Sequence, residues 1–141
     1  MIRGGSLILL SLFLTACVTP FNMDNKPSNL LFQKQDNTRN QVIHVFRDNK
    51  LCLNDDKNRQ NCPVSFYIDD FKAGDFYINN KANFYLKPDV YVIKVKSCKT
   101  VCETYELNLN VNNELENRDF TISIDSDDKP FIVQVNAEKV S

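Results

Sequence analysis

The chain is poor in histidine and in glycine. His44 is the one imidazole in 141 residues, and Gly74 is the one glycine beyond position 5. A nucleophilic triad needs a histidine beside a nucleophile and an orienting acid. No Gly-x-Ser-x-Gly or comparable nucleophile context accompanies His44, so it is read as a structural or surface side chain. Val42 and Phe46 share its strand face, while Ile43 and Val45 take the other. There is no Cys-x-x-Cys and no βαβ pattern, which argues against thioredoxin-like redox chemistry. No apolar run approaches the roughly 20 residues that cross a bilayer. A charge excess is also missing: 17 basic against 18 acidic side chains give a net charge of −1, no footprint for nucleic acid. No cofactor-binding motif is visible, and no convincing helix.

The first 17 residues carry more information than any other segment. Arg3 precedes a short apolar stretch, Leu7 to Leu14, and small residues Thr15 and Ala16 lead to Cys17. A short apolar run before a small-residue cleavage site marks an export signal. Leu14-Thr15-Ala16-Cys17 resembles the lipobox of bacterial lipoproteins. That resemblance implies a signal peptide at 1–16 and a diacylglyceryl group on the Cys17 thiol. It also implies acylation of the new Cys17 amine. Each buried CH₂ contributes about 0.8 kcal/mol, and stable anchoring takes two lipid signals. Three chains on one residue would hold the protein at a membrane. Val18, where inner-membrane lipoproteins usually carry Asp, favours an outer-membrane anchor facing the periplasm in a bacterium with two membranes.

From Cys17 onward the chain suits one domain. Without Arg3 it carries 16 basic and 18 acidic side chains. Four cysteines follow the anchor: Cys52, Cys62, Cys98 and Cys102. In an oxidising periplasm an even count reads as disulfides. The local pairing, Cys52 with Cys62 and Cys98 with Cys102, is expected. The loop-entropy model gives such rings about 3 and about 2 kcal/mol. A Cys₄ zinc site would use the same thiols, but only Cys98-x₃-Cys102 has the usual short spacing. Free thiols are the other alternative.

Residues 17–40 read as the lipidated cysteine and a flexible tether, polar and punctuated by Pro20 and Pro27. As a coil it would span roughly 25–30 Å. Its one apolar cluster, Leu30-Leu31-Phe32, is suited to docking on the domain or to an edge strand. From Gln41 to residue 137 the period is two. Tyr105, Leu107, Leu109 and Val111 alternate with Glu106, Asn108 and Asn110. The same alternation groups Val64, Phe66 and Ile68, then Tyr91, Ile93 and Val95, then Phe120, Ile122 and Ile124, then Phe131, Val133 and Val135. Each is expected to put those residues on the buried face of a strand. Turns are expected at Asp69-Asp70, Asn79-Asn80, Lys87-Pro88-Asp89, Asn112-Asn113 and Asp125 to Pro130. With one glycine available, Asn and Asp must supply the left-handed turn positions. The prediction is an all-β chain folded as a small antiparallel β-sandwich over 41–137.

Within it, Val42 to Ser97 resembles the DUF2846-type, PEGA-like lipoprotein domains. The resemblance rests on Val45-Phe46-Arg47, Phe66-Tyr67-Ile68-Asp69-Asp70, Lys72-Ala73-Gly74-Asp75-Phe76 and Asn83-Phe84-Tyr85-Leu86-Lys87-Pro88-Asp89, then Tyr91 to Val95. Asp70 and Asp89 stand where that family usually has glycine. The resemblance implies a β-sandwich at the cell envelope. It brings no catalytic residue and no ligand.

Asp125, Asp127 and Asp128 have the look of a calcium loop. However, Pro130 and Asn136 occupy the sixth and twelfth positions, where an EF-hand needs Gly and Glu. A solvated turn is the expectation, with no metal. Tyr67, Tyr77 and Tyr85 each alternate with a phenylalanine: Phe66, Phe76 and Phe84. If the phenylalanines face the core, the tyrosines form an outward aromatic set, able to stack on cell-wall glycan or bury against an envelope protein. The functional expectation is a non-enzymatic binding or assembly module, anchored to the membrane through Cys17. The alternative is an envelope hydrolase or a hydrolase inhibitor. A hydrolase needs convergent acid, base or nucleophile, and the sequence displays no such set.

Overall fold

The computed structural model describes residues 26–136. Eight strands follow in order: β1 (Gln41–Arg47), β2 (Val64–Ile68), β3 (Phe71–Phe76), β4 (Lys81–Leu86), β5 (Asp89–Cys98), β6 (Cys102–Val111), β7 (Asp119–Ile124) and β8 (Pro130–Gln134). They form two four-stranded sheets, β4-β1-β7-β8 and β3-β2-β5-β6. The architecture is a small β-sandwich, as the alternation predicts. All pairs are antiparallel except β1 with β7, which run parallel from His44 beside Asp119 to Arg47 beside Ile122.

The core is the set of alternating positions. Phe66, Phe76 and Phe84 are fully buried and touch one another across the two sheets, with ring centroids 5.0–6.3 Å apart. Ile43, Val45, Val64, Ile68, Ile93, Val95, Phe120, Ile122 and Ile124 pack around them. The tightest turns sit on Asn and Asp. Asp69, Asn79 and Asp128 have φ of 52°, 60° and 60°. Their short polar side chains tolerate that region at low cost.

One strand lies in the opposite phase to the expectation. Phe131, Val133 and Val135 face outward, and Val133 and Val135 are each 44% exposed. Ile132 is buried instead, because the register with β7 places it opposite Ile122.

The described part of the tether, 26–40, lies against the sandwich. Leu30 and Phe32 pack on the core, and Pro27 is buried. Ser28 exchanges backbone hydrogen bonds with Asp75, and Leu31 N–H donates to Ala73 C=O, both on β3. Tyr85 N–H donates to Phe32 C=O, and the Gln33 amide donates to Asn83 C=O, both on β4. One strap therefore covers an edge of each sheet.

Candidate functional site

The outer face of the β5 sheet gathers partly exposed aromatic, ammonium and carboxylate side chains. In an antiparallel pair, directly opposed residues share a face. Tyr67 on β2 lies opposite Lys94 on β5 and Lys72 on β3. Lys94 Nζ stands 4.8 Å from the Tyr67 ring centroid, within cation–π reach. Lys72 Nζ pairs with Asp75 Oδ1 at 2.9 Å, and Asp75 Oδ1 also accepts from Ser65 Oγ at 2.6 Å. The bond to Asp75 holds the Lys72 ammonium above its ordinary range, with Tyr67 and Tyr77 adding to the shift. Lys96, opposite Ser65, extends the row. Both tyrosines are half-buried. The face combines two aromatic bodies with ammonium groups, suited to stacking and to hydrogen bonding with polar ligands.

Tyr85 is not part of it. It lies on β4, opposite Val42, on the outer side of the other sheet. The three tyrosines do alternate with buried phenylalanines, but they do not share one face. Alternation assigns each residue to the outside of its own sheet and is silent on which sheet that is. On the same side of that sheet but away from Tyr85, Phe46 on β1 and Val133 on β8 are exposed, and His44 Nδ1 lies 2.6 Å from Asn83 Oδ1. His44 is exposed, and its described partner is an amide, not a nucleophile or an acid.

The cysteines fall into the two local pairs, with Cα–Cα distances of 6.3 Å for Cys52 and Cys62 and 4.0 Å for Cys98 and Cys102. The second pair closes the β5–β6 hairpin. The first lies in the core beside a buried polar knot that the sequence reading missed. Arg47 is 1% exposed. Its Nη1 donates to Phe76 C=O at 3.1 Å and Cys62 C=O at 3.4 Å, and Nη2 donates to Lys50 C=O at 3.1 Å. Burial pulls its pKa down to about 10, opposed by the charges of Asp48 and Asp55. The Arg47 position was legible: it shares parity with the inward Ile43 and Val45.

Asp55 is half-buried nearby, with its carboxylate turned inward. Its Oδ2 accepts from Asn61 N–H at 2.9 Å, and Lys99 Nζ lies 3.9 Å from its Oδ1. Lys99 also donates to Leu53 C=O. Cys52, Asp55 and Cys62 are the one group of metal-type donors clustered among the described residues, and there the two sulfurs are paired with each other. The knot joins the 48–63 loop to the sandwich.

The acidic run near the end is a turn. Asp125 Oδ1 accepts from Asp127 N–H at 2.8 Å and Lys129 N–H at 3.0 Å. The Lys129 backbone bond, with help from Asp127, holds its carboxyl below the usual range. Asp128 Oδ1 accepts from Leu53 N–H at 2.9 Å. These carboxylates are occupied by backbone donors. Cys17 lies outside the described residues. Compared with protein-family models, with curated proteins and with solved structures, the chain matches none.

Proposed function

We propose that this chain is a lipid-anchored envelope protein that acts as a non-enzymatic binding or assembly module. The observation that carries the anchor is Leu14-Thr15-Ala16-Cys17 behind a short apolar run. The paired cysteines fit the same compartment, since disulfides persist where the surroundings oxidise. The binding role is supported by the outer face of the β5 sheet, where Tyr67, Tyr77, Lys72 and Lys94 gather. The partner is an envelope protein or a cell-wall glycan.

Metabolic labelling with a fatty-acid probe tests the anchor. Wild-type chain takes the label, and Cys17→Ala does not and accumulates as precursor. Label retained in Cys17→Ala would overturn the reading. Crosslinking in intact envelopes, followed by capture, then separates a protein partner from isolated cell wall.

A further inference from the structure

Four strands lie at sheet edges: β3, β4, β6 and β8. An open edge is a row of unpaired N–H and C=O groups, and proteins usually blunt it. Here three edges are blunted, whereas β6, with β8 of the facing sheet alongside it, has no backbone partner on its outer side. The 26–33 strap covers β3 and β4, and β3 also carries a register shift near Phe66 and Tyr67. β8 has five residues and begins with Pro130. By contrast, β6 runs ten residues with no proline and no lysine, and its ladder with β5 has no register shift.

The free groups of β6 can be assigned. Asp69 N–H donates to Val92 C=O, and Val92 N–H donates to the Asp69 carboxylate. The backbone of Val92 therefore points toward β2. Alternate residues of a strand point to opposite sides. So Tyr91, Ile93, Val95 and Ser97 bond β6 through Leu109, Leu107, Tyr105 and Glu103. The short 4.0 Å Cα separation of Cys98 and Cys102 fits the same phase, because non-hydrogen-bonded pairs lie closer. Thr104, Glu106, Asn108 and Asn110 are left with N–H and C=O groups aimed away from the sheet. None of these backbone groups has a partner among the described residues.

We propose that β6 pairs antiparallel with β6 of a second copy of this chain, joining two sheets into one of eight strands. The side chains choose the register. Centring the pair on Leu107 sets Leu107 against Leu107 of the second copy, Tyr105 against Leu109, Glu106 against Asn108, and Thr104 against Asn110. All four outward residues then meet outward residues. No like charges oppose each other. A shift that centres the pair on Glu106 would set two carboxylates face to face, which is unfavourable. The Leu107 register also covers Tyr105, which is 42% exposed in the single chain. The interface goes beyond the anchoring reading and does not depend on acylation.

The test uses the full chain in detergent micelles, with a photo-reactive phenylalanine analogue at Asn110. Within one β6, positions 110 and 104 lie about 20 Å apart. A crosslink from 110 to the 103–105 segment therefore arises only between copies. The expected product is a dimer carrying that link. Asn108→Glu places a carboxylate opposite Glu106 twice in the dimer and should weaken dimerisation about tenfold. Asn108→Lys reverses the sign and should strengthen it. Circular dichroism checks that both variants fold. Absence of the dimer, or a dimer indifferent to both variants, would each overturn the proposal.

Discussion

Leu30 rests on Gly74. A methyl group on that glycine would stand 3.0 Å from Leu30 Cδ2, 3.5 Å from Phe76 Cε2 and 3.6 Å from Ser28 C=O. The glycine is needed for close approach. It lets the strap lie on β3, and the strap in turn covers the β3 and β4 edges. Gly74→Val should cost about 1–3 kcal/mol, as overpacking usually does. Amide exchange should quicken at Ser28 and Leu31, whose N–H groups bond β3. Because Leu30 is the nearest obstacle, Gly74→Ala combined with Leu30→Ala should lose less than the two single changes added together. Urea unfolding of the four chains checks this, and strict additivity would show that the two residues do not meet.

Arg47 supports a second prediction. Its guanidinium serves three carbonyls from three different segments: Lys50, Cys62 and Phe76. Removing a partner from a buried polar group costs about 1–3 kcal/mol. Arg47→Ala should therefore lose about 3 kcal/mol or more, read as a lower urea midpoint at unchanged slope. Arg47→Met fills more of the volume and should lose less than Arg47→Ala. Arg47→Lys keeps the charge but not the planar fork, so it should not restore the wild-type midpoint.

The sheets were legible in the sequence because the period of two is strong wherever one parity is apolar. Val64, Phe66 and Ile68 leave no ambiguity, and they are buried as expected. At β8 the signal fails for a physical reason. Phe131, Ile132 and Val133 are apolar on both parities, so the buried face is decided by register with β7. Tyr67 and Tyr85 show a further limit. Local alternation told that both point outward, but strand adjacency is a long-range property, and it placed them on different sheets. The strap was half legible: Leu30-Leu31-Phe32 signalled docking, but the strands it meets, β3 and β4, follow from long-range packing that a local pattern does not carry.

A pH dependence belongs to the turn that leads into β1. Asp36 Oδ1 accepts from Arg39 N–H at 2.7 Å, Thr38 N–H at 2.8 Å and Thr38 Oγ1 at 2.8 Å. The Arg39 backbone bond, then the two Thr38 bonds, draw its pKa down from 3.8 to about 2. The folded value lies below the unfolded one. The turn's contribution is thus present above pH 3.8 and is lost as pH falls through about 2. The amide resonances of Thr38 and Arg39 should titrate together with a midpoint near 2. In Asp36→Asn they should not titrate in this window. A midpoint near the ordinary carboxylate value would show that the turn does not hold the charge.

The separation of the tyrosines makes the binding proposal directly testable. Tyr67 and Tyr77 belong with Lys72 on the outer side of the β5 sheet, whereas Tyr85 belongs to the β1 sheet. If the first face receives the partner, Tyr67→Ala with Tyr77→Ala should abolish envelope crosslinks. Loss of a hot-spot aromatic costs about 2 kcal/mol, roughly thirtyfold in affinity. Tyr85→Ala should leave them unchanged, and Lys94→Ala should weaken them, because Lys94 stands over the Tyr67 ring. All of these side chains are at least partly exposed, so each variant should unfold at close to the wild-type urea midpoint. The comparison that decides is between the two sheets. Crosslinks that survive the Tyr67 and Tyr77 changes but vanish with Tyr85→Ala would move the binding surface to the β1 sheet, where Phe46 and Val133 already lie exposed.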